Sequence, residues 1–192
     1  MNKSIILLFS LLLVTCAENI SDSGCPVRPI FKPFDLQKYL GRWYELARYD
    51  IYFEKGCDCG YADYTLNDDG SVHVKNCCKR LPNTTPSCTI GKAVISYPNA
   101  SPIEGKISVA FRGLEPKESN YWILDTDYDN FVIVYFCQMD DTQKPRDAFW
   151  LLGRAKELTA EIQEKADDYI ERYFNRTAIY TPKQKSDSCG AE

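Results

Sequence analysis

Turn-forming residues interrupt the middle of this 192-residue chain every 8 to 14 positions, and that punctuation limits the fold more than any other feature. The segments between turns are too short for typical helices and are rich in β-branched and aromatic residues, so they read as strands. The spacing predicts eight of them, near 42–53, 59–67, 71–79, 88–97, 104–112, 119–126, 130–138 and 146–153. Asn67-Asp-Asp-Gly70 is the sharpest turn signal, with Gly70 suited to a left-handed backbone. If residue 67 faces residue 71 across that turn, Tyr64 opposes Val74 and Ala62 opposes Asn76, and the four share one face. The fold class is all-β. Eight antiparallel strands closed into an up-and-down barrel lose their edges and leave room inside for side chains or one small ligand. An open sandwich fits the same strand count.

One helix is expected after the strands. Thr159 suits the N-cap, Glu161 lies in the first turn, and Leu158, Ile162, Ala166, Ile170 and Tyr173 recur at helical spacing. The opposite face carries Glu161, Glu164, Lys165, Asp167 and Asp168, so the helix packs on a sheet rather than in a membrane.

Residues 1–17 read as a signal peptide, which leaves 18–192 as a single domain. Lys3 supplies the positive end, and Ile5 to Val14 is too short an apolar run to span a bilayer. Thr15-Cys16-Ala17 offers small residues for cleavage; lipidation of Cys16 is the competing reading, and Thr15 disfavours it. Loss of Lys3 takes the net charge from −4 to −5, the wrong sign for nucleic acid. Of nine cysteines, eight remain after cleavage, an even number that in a secreted chain reads as a disulfide framework. Sequons at Asn19, Asn83, Asn99 and Asn175 suit the same extracellular compartment, and the polar, Pro-containing surroundings of Asn83 and Asn99 favour those two.

Three short motifs carry a family resemblance. Phe34 to Arg48, centred on Gly41-x-Trp43, is similar to the first signature of the lipocalins. Thr126-Asp127-Tyr128 is similar to the second, and Phe149-Trp150-Leu-Leu-Gly-Arg154 to the third. All three stand in the lipocalin order, with a helix after the last strand, and the resemblance covers about residues 25 to 189. Tyr121-Trp-Ile-Leu-Asp-Thr-Asp-Tyr128 and Cys59-Gly-Tyr-Ala-Asp-Tyr-Thr-Leu66 resemble the branch of apolipoprotein D, the insect bilin-binding proteins and the insecticyanins.

The resemblance implies the closed barrel with one helix outside, the disulfides Cys25–Cys137 and Cys59–Cys189, and Trp43 packed under Arg154 at the closed end. It leaves Cys57, Cys77, Cys78 and Cys88, placed near the open rim by the strand reading, to pair among themselves. Three connectivities remain open for them, although adjacent Cys77 and Cys78 point to opposite faces and so should take different partners. A zinc site is the competing reading, disfavoured by an oxidising compartment. The resemblance further implies a secreted carrier of one small hydrophobic molecule (a lipid, sterol, retinoid or fatty acid), with Tyr64, Asn76, Phe111 and Trp150 lining the cavity. No cofactor is required unless the guest is a bilin, a reading the 13% aromatic content favours slightly.

An enzyme is the rival class, because one lipocalin branch isomerises a prostaglandin with a barrel cysteine. Here every cysteine of the mature chain can be assigned to a pair. The only histidine, His73, falls on the outward phase of its strand, so no base for a nucleophile is evident. A disulfide-rich inhibitor module, the third class, does not suit a chain this long with strands this regular.

Overall fold

The computed structural model describes residues 24–80, 85–117, 119–184 and 189. The signal-peptide reading over 1–17 and the sequons at Asn19 and Asn83 lie outside the described residues. Strands β1 (Gly41–Tyr49), β2 (Cys57–Leu66), β3 (Val72–Arg80), β4 (Ser87–Ile95), β5 (Lys106–Phe111), β6 (Tyr121–Thr126), β7 (Phe131–Met139) and β8 (Pro145–Gly153) pair each with the next. Pairing of β8 with β1 and of β1 with β2 closes the barrel. Helix α1 (Leu36–Tyr39) precedes the strands, and helix α2 (Ala160–Tyr173) follows them. A two-residue strand, β9 (Ile179–Tyr180), then pairs with the upper end of β1.

The β2–β3 hairpin has Tyr64 opposite Val74 and Ala62 opposite Asn76, as the turn chemistry at Asn67 to Gly70 dictates. Strand β1 ends at Tyr49 rather than at 53: Tyr52 to Glu54 form a 3-10 turn. Ile51, Tyr52 and Phe53 are strand-forming by type, yet they lie in the connection between β1 and β2 at the open rim.

Alternation along the strands separates two apolar cores. Trp43, Ala62, Tyr64, Val72, Val74, Ile107, Ile123, Val132, Val134 and Leu152 fill the barrel interior. Phe131, Ile133, Tyr135, Phe149 and Leu151 face outward and are covered by Ala166, Ile170 and Phe174 of the α2 region. Strands β7 and β8 are therefore buried on both faces. Thr159 caps α2 by accepting from the Ile162 amide. Cys25 is bonded to Cys137 of β7 and Cys59 of β2 to Cys189, so both terminal segments are tied to the wall. No helix among the described residues is long and apolar enough to cross a membrane.

Candidate functional site

The closed end of the barrel is built around one guanidinium. Arg154, just past β8, lies 3.7 Å over the Trp43 ring, a favourable cation–π contact. It donates to the carbonyls of Lys38 (2.7 Å), Arg42 (2.9 Å) and Tyr128 (3.0 Å). One side chain thus joins α1, β1 and the β6–β7 turn. Gly41 takes φ +94°, a region closed to most side chains, and a Cβ there would stand 3.3 Å from the Arg154 guanidinium. Trp43 donates its indole N–H to the Tyr39 carbonyl at 2.8 Å. In the β6–β7 turn the Thr126 hydroxyl donates to the Phe131 carbonyl, and Asp127 accepts from the amides of Asn130 and Phe131. The Tyr128 hydroxyl accepts from the Asp35 amide at 2.7 Å. Gly41, Trp43, Thr126, Asp127, Tyr128 and Arg154 together form the barrel's floor.

Above that floor the interior changes character. Trp43, Ile123, Val132 and Val134 are fully buried, whereas Phe111, Tyr121 and Trp150 pack on the same core and keep exposed surface. Phe111 crosses from β5 onto β4, where Gly91 faces it; a Cβ on Gly91 would meet the Phe111 ring at 2.7 Å, so only glycine admits the ring there. Tyr64 stacks on Tyr39 with centroids 5.2 Å apart. The Tyr121 hydroxyl lies 3.0 Å from that of Tyr39 and 3.1 Å from that of Tyr64, and so bridges the two stacked tyrosines. Burial pushes all three phenols above their usual range, so they stay protonated. Tyr121 also lies 6.4 Å from Trp150, centroid to centroid, and so joins Tyr64 to Trp150. Asn76 shares the inward phase of Val72 and Val74, and its Oδ1 is buried with no hydrogen-bond partner.

The rim carries a buried charge cluster. A register shift between Glu45 and Ala47 changes the phase of β1, so Ala47 and Tyr49 pack under α2 while Arg48 does not. Arg48 is fully buried. Its Nε lies 2.9 Å from Glu45 Oε1 and 3.5 Å from Glu54 Oε2, and its terminal nitrogens donate to the carbonyls of Tyr49, Glu54 and Cys57. Glu54, in the 3-10 turn, accepts the Trp150 indole N–H at 3.0 Å. Burial, reinforced by the Glu54 charge and opposed by Arg48, pushes the Glu45 carboxyl up to about 8. Burial raises Glu54 as well, against the pull of the Trp150 hydrogen bond, Arg48 and Arg80. Asp58 accepts from the Tyr180 hydroxyl and the Lys183 amide, and Gln184 bridges the carbonyls of Glu45 and Gly60. These bonds seal the upper seam between β1 and β2 with the C-terminal segment.

Two further bridges tie the same rim. Cys78 shares the inward phase of Asn76 and is bonded to Cys57 across β2. Cys77 shares the outward phase of His73 and is bonded to Cys88 on β4. Asn99 and Asn175 are both exposed; the Asn175 side chain accepts from Thr177.

The structure brings Tyr64, Phe111 and Trp150 into one core and sets Asn76 on the same inward face. Sequence reasoning missed Tyr39, Tyr121, Arg48 and Glu54. Tyr121 had a signal, since it shares its strand's inward phase with Ile123; Glu54 had none, because its partner Trp150 is 96 positions away.

A family model described as a lipocalin-like domain matches residues 34–179. Apolipoprotein D of Cavia porcellus is 38% identical over 146 residues, covering 76% of this chain and 74% of that protein. The bilin-binding protein of Pieris brassicae is 32% identical over 86% of this chain and 85% of its own length. The Lazarillo protein of Schistocerca americana is 30% identical over 92% and 81%. Among solved structures, insecticyanin from Manduca sexta superposes with a TM-score of 0.74 at 23% identity, over 90% of this chain and 93% of that one.

Proposed function

The chain belongs to the lipocalin family, and from that premise we propose that it is a secreted carrier that holds one small hydrophobic molecule in the upper half of the barrel. The observation that carries this reading is the gradient inside the barrel. Trp43 and Val132 are fully buried next to the floor, and aromatic surface remains accessible at Phe111, Tyr121 and Trp150, which stand farther along their strands toward the rim. An apolar recess with a few polar groups is what a small-molecule site requires. Asn76 and the tyrosine hydroxyls supply those groups, while Trp150 and Phe111 supply flat apolar surface. Export is supported by four disulfides among the described residues, which need an oxidising compartment.

A bilin is the second reading of the guest. Aromatic walls suit a flat conjugated molecule, and one relative is a bilin-binding protein. Isomerase chemistry finds less support: all eight described cysteines are in disulfides, so none offers a thiolate. Protein purified from its source under native conditions tests the carrier reading. Native mass spectrometry should release one small apolar molecule per chain, and visible absorption would identify that molecule as a pigment. Protein that neither brings a guest nor takes one up after stripping contradicts the reading.

A further inference from the structure

We propose that the barrel selects the head group of its guest, taking a neutral molecule that presents an O–H or N–H donor and rejecting a carboxylate, with Glu54 and Asn76 as the selecting residues. The inference rests on the carrier reading above. Three features of the recess converge on it. First, Asn76 Oδ1 is a buried acceptor without a partner. A bare buried acceptor is costly, and a guest that donates a proton to it removes that cost. Second, two hydrogen bonds among the three tyrosine hydroxyls use two of their three protons, so the group has more lone pairs than protons left to offer a guest. Third, the polar side chain against Trp150 is a carboxylate: Glu54 Oε2 sits 3.0 Å from the indole nitrogen with its side chain only 19% exposed.

The cations nearby do not reverse that balance. Arg48 is the buried one, and it is engaged by Glu45, Glu54 and three carbonyls. Arg80 is exposed and donates to the Phe53 carbonyl, which holds the turn carrying Glu54. Asp58 adds a second carboxylate on the seam side of the cluster. A carboxylate guest with its head beside Trp150 would therefore meet like charge where water is scarce, and like charges repel most strongly in such surroundings. An alcohol or an N–H of the same shape meets acceptors instead.

Retinol and retinoic acid share one polyene and differ at the head, so they form the test pair. The mature chain, stripped of guest, is titrated with each at pH 7.5 while tryptophan emission is followed. Retinol should bind about tenfold tighter than retinoic acid, a difference typical of one well-placed charge or hydrogen bond. Glu54→Gln should strengthen retinoic acid and bring the two within about threefold, while Asn76→Leu should weaken retinol by about tenfold and leave retinoic acid within about twofold. Equal binding of the pair by the parent, or a ratio unmoved by Glu54→Gln, overturns the selection and leaves the carrier reading standing. If neither retinoid nor any other apolar probe quenches the parent, the carrier reading itself falls, and this inference with it.

Discussion

Replacing Arg154 with alanine should destabilise the fold by about 3 kcal/mol without changing what the barrel binds. The substitution deletes a guanidinium that donates to the carbonyls of Lys38, Arg42 and Tyr128 at 2.7–3.0 Å and lies 3.7 Å over the Trp43 ring. The three carbonyls sit at an end that water can reach, so each lost bond costs roughly 0.5–1 kcal/mol rather than the larger figure for a sealed charged donor. The cation–π contact adds roughly 1 kcal/mol. For a domain of this size the total lowers Tm by roughly 6–12 °C. Calorimetry with the disulfides intact measures the first effect, and ligand titration of the protein that remains folded measures the second. The argument would be refuted by near-parental Tm together with an altered ligand preference, since Arg154 would then line the recess and not the floor.

Other consequences can be checked separately. Glu45 has a folded-state pKa of about 8, above its ordinary 4.5, so the stability it contributes is complete at acid pH and is lost as pH rises through 8. Glu45→Gln should flatten the fall in stability between pH 5 and 8.5, by an amount on the order of a few kcal/mol, in urea melts; equal slopes for parent and variant would contradict the buried-carboxyl account. Non-reducing peptide maps should yield Cys25–Cys137, Cys59–Cys189, Cys57–Cys78 and Cys77–Cys88, and a Cys25–Cys189 peptide would overturn that set. Intact mass should place the mature start near Glu18 and fall after N-glycosidase treatment, through sugar at Asn83 or at Asn99, which is exposed in the β4–β5 connection; a mass that includes Met1 to Ala17 would contradict secretion.

Much of the barrel was legible because turns are local. Asn67 to Gly70 set the β2–β3 register, and that register placed Ala62 and Tyr64 across from Asn76 and Val74. The helix was legible from its cap at Thr159 and its apolar period. The rim was not. Ile51 to Phe53 have strand-forming side chains, and only the closed geometry makes them a turn. Helix α1 has four residues and β9 has two, both too short for periodicity to register. Nothing in the sequence marks Glu45 and Arg48 as buried, because the irregularity in β1 that reorients the strand between them leaves no trace there. The hydroxyl chain Tyr39–Tyr121–Tyr64 joins positions up to 82 residues apart, so it exists only once the strands are paired.

Whether the guest lies against Trp150 is the central question, and one variant tests it directly. Trp150 packs on the interior core beside Tyr121 and donates its indole N–H to Glu54 at the rim. Retinol added to stripped parent protein should quench tryptophan emission to saturation at one equivalent per chain. Trp150→Ala, shown by circular dichroism to be folded, should bind about 1–3 kcal/mol more weakly, the loss expected for a buried aromatic contact. It should also show a smaller quench, because Trp43 and Trp122 still emit. A folded Trp150→Ala protein that binds as tightly as the parent and quenches to the same extent would place the guest somewhere other than this recess.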